Sequence, residues 1–444
     1  MTTVNDAQVE MVDWIERIIG GRVVACERQP RWRPAWFVDA ERDGITLPLY
    51  FRGDRGALDH GVYGLEHEHT VLRVLEANDI LVPHVYGLCP EPRGLVMERV
   101  AGRANLATAQ SSDDPAAVLD DYMGWLAKIH RIGTEPFERE GLTRSTANPA
   151  FADLDRWEQT YRAQKARPEP LIEFVLCWLR RNAPTRDVAQ SLVVGDSGQF
   201  LFDGARVTSI IDLELAFLGD PLHDLACMRL RDLAEPLGDL GRAFAHYERV
   251  TDESIDRRAI DFHTVRFAIC TPMSISHVLA NPPPDIDLVR YLIWYVQFAR
   301  VALEVMADLL GVDLDPTPSF VDEIGRFATG YPMIAAALHD IAPTDPQQQF
   351  RLDVARRTNV FLSRVAATGA AMEAADLDDA AVMLGYRATT WTECDAALED
   401  LISRNDAGRD REFIRFFHRR HTRWQTLLDV GMVGRNYSAQ PWPR

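Results

Sequence analysis

The spacing of hydrophobic residues changes once within the first hundred positions, from a helical period to short strand-like runs. Apolar residues recur every three or four positions over 6–19, which predicts a helix that ends at the glycine pair 20–21. The Asp-Gly pair within 41–44 is typical of a hairpin turn. A second helix is predicted over 65–78. Strand-like runs rich in β-branched and aromatic residues lie at 23–26, 35–38, 46–51, 82–88 and 94–100.

Beyond position 115 the spacing is mostly helical, and one predicted strand pair interrupts it. The two strand-like runs, 200–202 and 207–211, are joined by a turn that contains Gly204. Predicted helices lie at 115–132, 150–165, 168–182, 236–250, 256–280 and 286–311.

This order of elements predicts three regions along the chain. Residues 1–102 form a small β-rich lobe and residues 103–314 a large helical lobe. A proline-containing segment, 313–318, marks the boundary to an additional helical region, which is assigned to 315–444.

Length and charge narrow the class of protein. The chain has 444 residues, too many for one ordinary hydrophobic core, so two or three packed units are expected. Its formal net charge of −18 argues against nucleic-acid binding, because phosphate backbones are bound by basic surfaces. An acidic surface could favour a cationic substrate or could only maintain solubility.

Cysteine spacing and the lack of long apolar runs predict a cytoplasmic protein. The six cysteines are widely separated and form no C-x-x-C pair, so neither a zinc site nor a disulfide framework is expected. The N-terminal residues lack the basic-then-apolar order of a signal peptide. No apolar run approaches the roughly 20 residues that cross a bilayer, so no membrane association is expected.

Three acidic or amide side chains lie at the ends of the predicted strand pair. Asp196 follows a glycine in a tight turn, Gln199 precedes one strand, and Asp212 follows the next. The three could converge at one end of the hairpin. Phosphoryl transfer needs such a group, because a carboxylate must orient the attacking hydroxyl and oxygen ligands must hold Mg²⁺. Spacing alone leaves open that these residues only form turns.

The segments around these residues resemble the aminoglycoside phosphotransferase family. The family pattern is His-Gly-Asp, an Asn or Gln before a strand, Ile-Asp-Trp-Glu, and then Gly-Asp-Pro-x-x-Asp-Leu-Ala. This chain has Val-Gly-Asp at 194–196, Ile-Asp-Leu-Glu at 211–214 and Gly-Asp-Pro-Leu-His-Asp-Leu-Ala at 219–226. The resemblance extends over residues 30–310.

This resemblance implies an α+β, bilobal protein-kinase-like fold and the use of ATP or GTP with Mg²⁺. It implies that Asp196 is the catalytic aspartate and that Gln199 and Asp212 are the metal ligands. Asp224 would support the catalytic loop.

A kinase-like fold also places a basic strand residue against the nucleotide phosphates and pairs it with a glutamate of the next helix. The chain has two lysines, Lys128 and Lys165, and both lie in predicted helices. Arg52, at the end of a predicted strand, is therefore the candidate, with Glu68 as its partner. Arginine can bind phosphate through two parallel hydrogen bonds. An exposed turn at Arg52 is the alternative.

The resemblance assigns residues 96–100 to the hinge between lobes, where Met97, Glu98 and Val100 would contact the nucleobase. A plain apolar strand is the alternative, and both can hold. The loop 29–36 falls where a phosphate-covering loop would lie, yet it contains no glycine. Its arginines could face phosphates or substrate, but solvated arginines beside packed tryptophans are the simpler expectation.

Two departures from the family pattern affect the predicted catalytic loop. Val194 replaces the family histidine, and Gln199 follows Asp196 by three positions, where kinases have five. The two missing residues remove up to about 7 Å of reach. Asp196 and Gln199 are therefore not both expected in the usual positions unless the backbone moves. An active variant and a kinase that has lost its activity both fit this loop.

The leading expectation is an ATP- or GTP-dependent phosphotransferase that acts on a hydroxyl of a small molecule. The alternative is a catalytically inactive kinase-like protein that binds a nucleotide or a partner. P-loop kinases, Rossmann dehydrogenases and G-x-S-x-G hydrolases are disfavoured because the sequence lacks their motifs. No metal site is expected at His67 and His69, and His418 with His421 is predicted to lie on a solvated basic face.

Overall fold

In the computed structural model the chain divides into two compact units. The first unit comprises residues 1–153, 186–256 and 440–444, and the second comprises 154–185 and 257–439. The structure describes residues 4–30, 33–55, 61–145, 148–185, 187–284, 286–316, 320, 325, 328–404, 407–428 and 438–442, with side chains from residue 8 onward.

Several helices begin at an aspartate whose carboxylate accepts a backbone N–H of the first turn, as Asp114, Asp239, Asp287 and Asp345 do. The helices are α1 Val4–Ile19, α2 Leu65–Glu76, α3 Pro115–His130, α4 Glu135–Arg139, α5 Leu154–Gln164, α6 Pro170–Asn182, α7 Leu222–Arg231, α8 Leu240–Thr251, α9 Arg257–Ala280, α10 Leu288–Leu310, α11 Gly330–His339, α12 Pro346–Leu384, α13 Trp391–Ser403 and α14 Asp410–Leu428.

The strands lie in the first unit. One antiparallel sheet has the order β1-β2-β3-β5-β4, while β6 pairs with β9 and β7 pairs with β8. Their bounds are β1 Arg22–Arg28, β2 Ala35–Arg42, β3 Ile45–Gly53, β4 Val85–Pro90, β5 Arg93–Glu98, β6 Ser191–Val193, β7 Phe200–Asp203, β8 Arg206–Ile210 and β9 Phe217–Gly219.

The five-stranded sheet buries alternate side chains in a core shared with α1. Val38 of β2 and Phe51 of β3 are fully buried there, together with Met11 and Ile15 of α1. The alternation arises because successive strand side chains point to opposite faces. The Phe51 ring also requires a glycine on the neighbouring strand, since a Cβ at Gly94 would lie 2.1 Å from it.

The second unit is helical, and α14 packs against α10, α12 and α6 within it. Phe174 of α6 lies 5.2 Å from Phe413 and 5.9 Å from Phe417 of α14, measured between ring centroids. Arg420 of α14 is also buried and pairs with Asp395 of α13 at 2.6 Å. Helix α14 therefore buries one of its faces although it carries many charged residues, because arginine on that face is paired with a carboxylate.

The prediction that His418 and His421 lie on a solvated face is wrong. They are 5% and 1% exposed, because the neighbouring phenylalanines draw this face of α14 inward. His421 Nδ1 donates to the Phe417 carbonyl at 2.7 Å, and His418 Nε2 lies 3.5 Å from Glu304 Oε1. Burial lowers the pKa of His421 to about 3, so the ring is neutral.

The predicted order of strands, helix and strands in the first hundred residues is confirmed, as is the later strand pair. The fourth strand begins at Val85 rather than at 82. Pro83 explains the difference, because proline has no N–H to donate to a neighbouring strand.

The compact units do not coincide with the three predicted regions. Helix α6 packs against α13 and α14, so the segment 154–185 groups with the C-terminal helices. Gln440 returns to the first unit, where its Nε2 donates to Asp232 Oδ2 at 2.9 Å. No helix in the described ranges is both long and apolar enough to span a bilayer.

Candidate active site

The predicted catalytic turn lies in the first unit, directly after β6, and the carboxylate of Asp224 on α7 holds it. Asp224 accepts the backbone N–H of Val194 at 2.8 Å and that of Gly195 at 3.1 Å, and His130 Nε2 lies 2.9 Å from the same carboxylate. The carboxylate satisfies N–H groups that the turn leaves without strand partners. This is the supporting contact that the resemblance implied for Asp224.

Gly195 and Gly198, on either side of Asp196, adopt the left-handed region with φ of 92° and 96°. A Cβ at Gly195 would lie 2.3 Å from the Leu215 carbonyl oxygen, so this position has no space for a side chain. The buried Tyr122 of α3 fixes the other end of the turn, because its hydroxyl accepts the Gly198 N–H at 2.8 Å. No pattern in the sequence indicated this contact of Tyr122.

The side chain of Asp196 lies between an arginine and an amide. Arg231, the last residue of α7, forms an ion pair with Asp196 Oδ2, and Gln199 Nε2 donates to the same oxygen at 3.0 Å. Burial raises the pKa of Asp196 to about 6, and the positive charge of Arg231 opposes that shift. A half-buried carboxylate that titrates near neutrality can accept a proton from a substrate.

The three-residue spacing closes the loop on itself instead of separating its two ends. The Gln199 amide reaches back to Asp196, and the backbone N–H of Ile211 donates to the Gln199 carbonyl at 3.2 Å. The second contact joins the catalytic loop to the residue before Asp212. The contracted loop thus keeps Asp196, Gln199 and Asp212 in one neighbourhood; their catalytic and metal-binding roles remain predictions.

Asp212 adopts a left-handed backbone conformation with φ of 62°, which aspartate tolerates better than most residues. Its carboxylate pairs with Arg52 Nη2 and is 30% exposed. Although burial favours the neutral acid, Arg52 holds the pKa of Asp212 well below its ordinary value. Asp212 is therefore an ionised oxygen donor at neutral pH.

Arg52 and Glu68 pair as the sequence analysis expected, with 2.7 Å between Nη1 and Oε1. Both are buried, so Arg52 does not lie in an exposed turn. Burial raises the pKa of Glu68 to about 7; the positive charge of Arg52 opposes this shift, while the two other carboxylates that pair with Arg52 add to it. One of these is Glu214, whose Oε2 lies 2.9 Å from Arg52 Nη2.

The expectation of solvated arginines in the loop 29–36 is wrong for Arg33. Arg33 is 5% exposed; its Nε donates to the Gly53 carbonyl and its Nη1 to Glu214 Oε2, each at 2.7 Å. Trp36 is packed in the core as expected, while Arg31 and Trp32 lie outside the described residues. The carboxylate that attracts Arg33 comes from a distant segment, so the loop's own sequence did not indicate it.

A pocket of about 590 Å³ opens beside these groups and has a size typical of small-molecule sites. The hinge candidate Glu98 is not among the residues that line the pocket, and its backbone N–H donates to the His84 carbonyl at 2.8 Å. Asp196 reaches the pocket through its contact with Gln199. The predicted site residues that line the pocket are Arg52, Glu68, Met97, Val100, Gln199 and Asp212.

The oxygen donors suit a hard cation such as Mg²⁺, which takes few protein ligands and completes its shell with phosphate and water oxygens. Asp212 offers an ionised carboxylate, and Gln199 offers an amide oxygen. Within the described ranges, no group of three or more histidine, cysteine, aspartate or glutamate side chains is arranged to hold a metal. His67 makes a backbone contact instead: its Nε2 donates a hydrogen bond to the Ala216 carbonyl at 2.6 Å.

Comparison with curated proteins finds relatives that match part of this chain. Acyl-CoA dehydrogenase family member 11 from Homo sapiens is 26% identical over 190 residues, which is 38% of this chain and 23% of that protein. The Rattus norvegicus protein of the same name is 28% identical over 214 residues, which is 43% of this chain and 27% of that protein. The chain thus spans about a quarter of the length of these relatives.

Comparison with solved structures identifies the fold. A Ralstonia eutropha protein, solved as a candidate aminoglycoside phosphotransferase, has a TM-score of 0.51 at 19% identity, covering 68% of this chain and 98% of that one. A thermostable mutant of aminoglycoside phosphotransferase APH(4)-Ia, in ternary complex with AMP-PNP and hygromycin B, also has a TM-score of 0.51, at 16% identity, covering 67% and 99%.

The model of the phosphotransferase enzyme family matches residues 35–261, which span the Arg52–Glu68 pair and the catalytic turn. This match covers just over half of the 444 residues. The predicted family and the predicted α+β kinase-like fold are both confirmed. The chain belongs to the phosphotransferase enzyme family and has the fold of its aminoglycoside phosphotransferases.

Proposed function

We propose that this protein transfers the terminal phosphoryl group of ATP or GTP to a hydroxyl of a small molecule. One observation carries the proposal: the Arg52–Glu68 pair, Gln199 and Asp212 line a single pocket, and Asp196 is hydrogen-bonded to Gln199. Phosphoryl transfer depends mainly on positioning and charge neutralisation, and these groups supply both.

Each group in the pocket has a separate task in this reaction. Asp196 orients the acceptor hydroxyl and accepts its proton as the oxygen–phosphorus bond forms and the bond to the diphosphate leaving group breaks. Gln199 and Asp212 would hold Mg²⁺, which neutralises phosphate charge when bound. Arg52, kept in place by Glu68, contacts the phosphates. Met97 and Val100 line the pocket where the hinge would contact the nucleobase.

A thermal-shift titration with magnesium-ATP and magnesium-GTP tests nucleotide binding, and a diphosphate-release assay tests turnover. The acceptor panel contains aminoglycosides, macrolides, choline-like alcohols and hydroxyacyl thioesters. The last class is included because the curated relatives carry an acyl-CoA name. Turnover of any acceptor should be abolished by Asp196→Asn, which keeps the shape of the side chain but cannot accept the proton. Asp203→Asn, an exposed change at the end of β7, is the control and should retain activity.

A second candidate is a catalytically silent protein that binds a nucleotide or a partner. It is favoured by the ion pairs that Asp196 and Asp212 form with Arg231 and Arg52, because both carboxylates are already neutralised. Nucleotide binding without turnover of any acceptor in the panel would support this candidate and contradict the first.

A further inference from the structure

Three arginines of the first unit converge on one carboxylate, and two of them, Arg33 and Arg52, line the pocket. Glu214 Oε2 lies 2.7 Å from Arg33 Nη1 and 2.9 Å from Arg52 Nη2, and Glu214 Oε1 forms an ion pair with Arg55 Nη2. Their side chains are between 6% and 18% exposed. We call these four residues the arginine cluster.

The fold brings the cluster together at the open end of the β2–β3 hairpin. Arg33 precedes β2 and Arg55 follows β3, and Ala35 pairs with Arg52 in the register between the two strands. The backbone reinforces this arrangement, because the Gly53 N–H donates to the Pro34 carbonyl at 2.8 Å while Arg33 Nε donates to the Gly53 carbonyl. A Cβ at Gly53 would lie 2.9 Å from the Pro34 oxygen, so glycine permits the close approach.

The cluster holds positive charge at a high electrostatic cost. Burial lowers the pKa of Arg33, and the nearby charge of Arg52 lowers it further. Glu68 and Asp212 also pair with Arg52, so these side chains form one network in which Glu214 is shared by all three guanidinium groups. A polyphosphate offers several anionic oxygens, which guanidinium groups bind through paired hydrogen bonds.

We infer that Arg33 and Arg55 act with Arg52 as the binding site for a nucleotide's polyphosphate, with Glu214 as an internal counter-anion. This rests on the proposed function and adds residues to it. Kinases commonly cover the phosphates with glycine-rich backbone. The loop 29–36 has no glycine, and arginine forks take over that task. Glu214 holds the guanidinium groups apart and in place, and phosphate oxygens share or replace it when they enter.

The test measures binding of inorganic tripolyphosphate by isothermal titration calorimetry with EDTA present, so that neither metal nor nucleobase contributes. Arg33→Met and Arg55→Met should each weaken binding at least about tenfold, because each removes a charge-assisted hydrogen-bond pair. Glu214→Gln should tighten binding, since it removes the competing negative charge and keeps the side-chain shape. Unchanged affinity in both arginine variants, or weaker binding in Glu214→Gln, would overturn the inference.

Arg93→Met is the matched control. Arg93 also pairs with two carboxylates, Asp54 at 3.0 Å and Glu66 at 2.7 Å, but is not part of the arginine cluster, so its loss should leave tripolyphosphate affinity unchanged. If Arg93→Met lost as much tripolyphosphate affinity as Arg33→Met and Arg55→Met, the inference would be overturned, because the effect would then not be specific to the arginine cluster. Thermal melts identify variants that fail to fold, and Arg33→Lys replaces Arg33→Met in that case, with weaker binding expected because lysine has no fork.

The two proposals can fail separately. If no acceptor is phosphorylated but Arg33→Met and Arg55→Met weaken tripolyphosphate binding, the arginine cluster stands and the proposed function fails. If turnover is found while both variants bind tripolyphosphate as tightly as the unchanged protein, the proposed function stands and the inference fails.

Discussion

Arg52 contacts carboxylates from separate segments of the chain: Glu68 of α2, and Asp212 and Glu214 of the segment between β8 and β9. A planar guanidinium can serve several partners because its donors point in different directions, whereas an ammonium is a compact point charge. The resemblance to a kinase-like fold, together with the order of residues along the chain, predicted the pairing of Arg52 with Glu68. The part played by Glu214 depends on a contact across 162 positions of sequence, which no local pattern reveals.

The first prediction concerns Arg52→Lys. The lysine variant should fold but bind magnesium-ATP about tenfold more weakly, because one ammonium cannot reproduce a forked set of charge-assisted hydrogen bonds. Isothermal titration calorimetry measures the affinity, and Arg93→Lys serves as the control for an arginine outside the pocket. Equal affinities for Arg52→Lys and the unchanged protein would contradict the geometry described for this residue.

The second prediction concerns His421 and pH. Burial lowers its pKa to about 3, whereas the ordinary value for an unfolded histidine is 6.5. Between these values the unfolded chain binds a proton that the folded chain excludes. The contribution of His421 to the free energy of unfolding is therefore complete above pH 6.5 and decreases as the pH falls, by up to about 1.4 kcal/mol per unit.

Urea unfolding at pH 7 and pH 5 measures this dependence. The unchanged protein should lose more stability on acidification than His421→Gln, because glutamine does not titrate in this range. The comparison between the two proteins removes the contribution of other titrating groups. Identical acid-induced losses would show that His421 is protonated in the folded state.

At the scale of elements, the catalytic turn depends on backbone geometry more than on side-chain identity. The strands β7 and β8 beside it follow from apolar spacing, and the resemblance to the family singled out Asp196, Gln199 and Asp212, whose roles stay predictions. The support for the turn was harder to predict: Tyr122 contributes a hydroxyl from α3, and Arg231 reaches Asp196 from the end of α7. Both have the appearance of ordinary helix residues until the fold brings them to the loop.

The third prediction compares Gly195→Ala with Gly204→Ala. Both glycines have positive φ, of 92° and 59°, but a Cβ at Gly195 meets the Leu215 carbonyl while a Cβ at Gly204 meets open space. Gly204→Ala should cost about 1 kcal/mol through backbone strain alone. Gly195→Ala should cost at least about 3 kcal/mol, because the clash adds to the strain. Denaturant unfolding measures both, and equal costs would contradict the described packing.

At the scale of the whole molecule, the family-like part of the chain was predictable and its grouping into units was not. The five-stranded sheet, the β7–β8 pair and the longer helices of 115–310 follow from local patterns, whereas the short elements β6, β9 and α4 and the helix α7 were not predicted. The grouping depends on contacts between distant segments, such as Phe174 with Phe413, which the sequence does not announce. The face of α14 that carries His418 and His421 was expected to be solvated because the residues that cover it lie far away in the sequence.

The fourth prediction concerns Trp442, which belongs to the first unit although the residues before it, 257–439, belong to the second. Its ring lies 6.1 Å from the Phe244 ring and 4.7 Å from the Arg229 guanidinium of α7. Trp442→Ala should lower the free energy of unfolding by about 1–2 kcal/mol through loss of these contacts. Hydrogen exchange should be faster in α7 and α8 of the variant. Unaltered exchange there would contradict the docking of residues 440–442.

The Asp224 carboxylate has a consequence for how position 194 can vary. It binds the turn through main-chain amides, which every residue except proline provides, so the side chain at 194 contributes volume to the interior and no polar contact to the turn. A saturation library at this position should therefore tolerate isoleucine, threonine or cysteine and reject proline and charged residues. The histidine of the family pattern would then be one of several side chains that this position accepts.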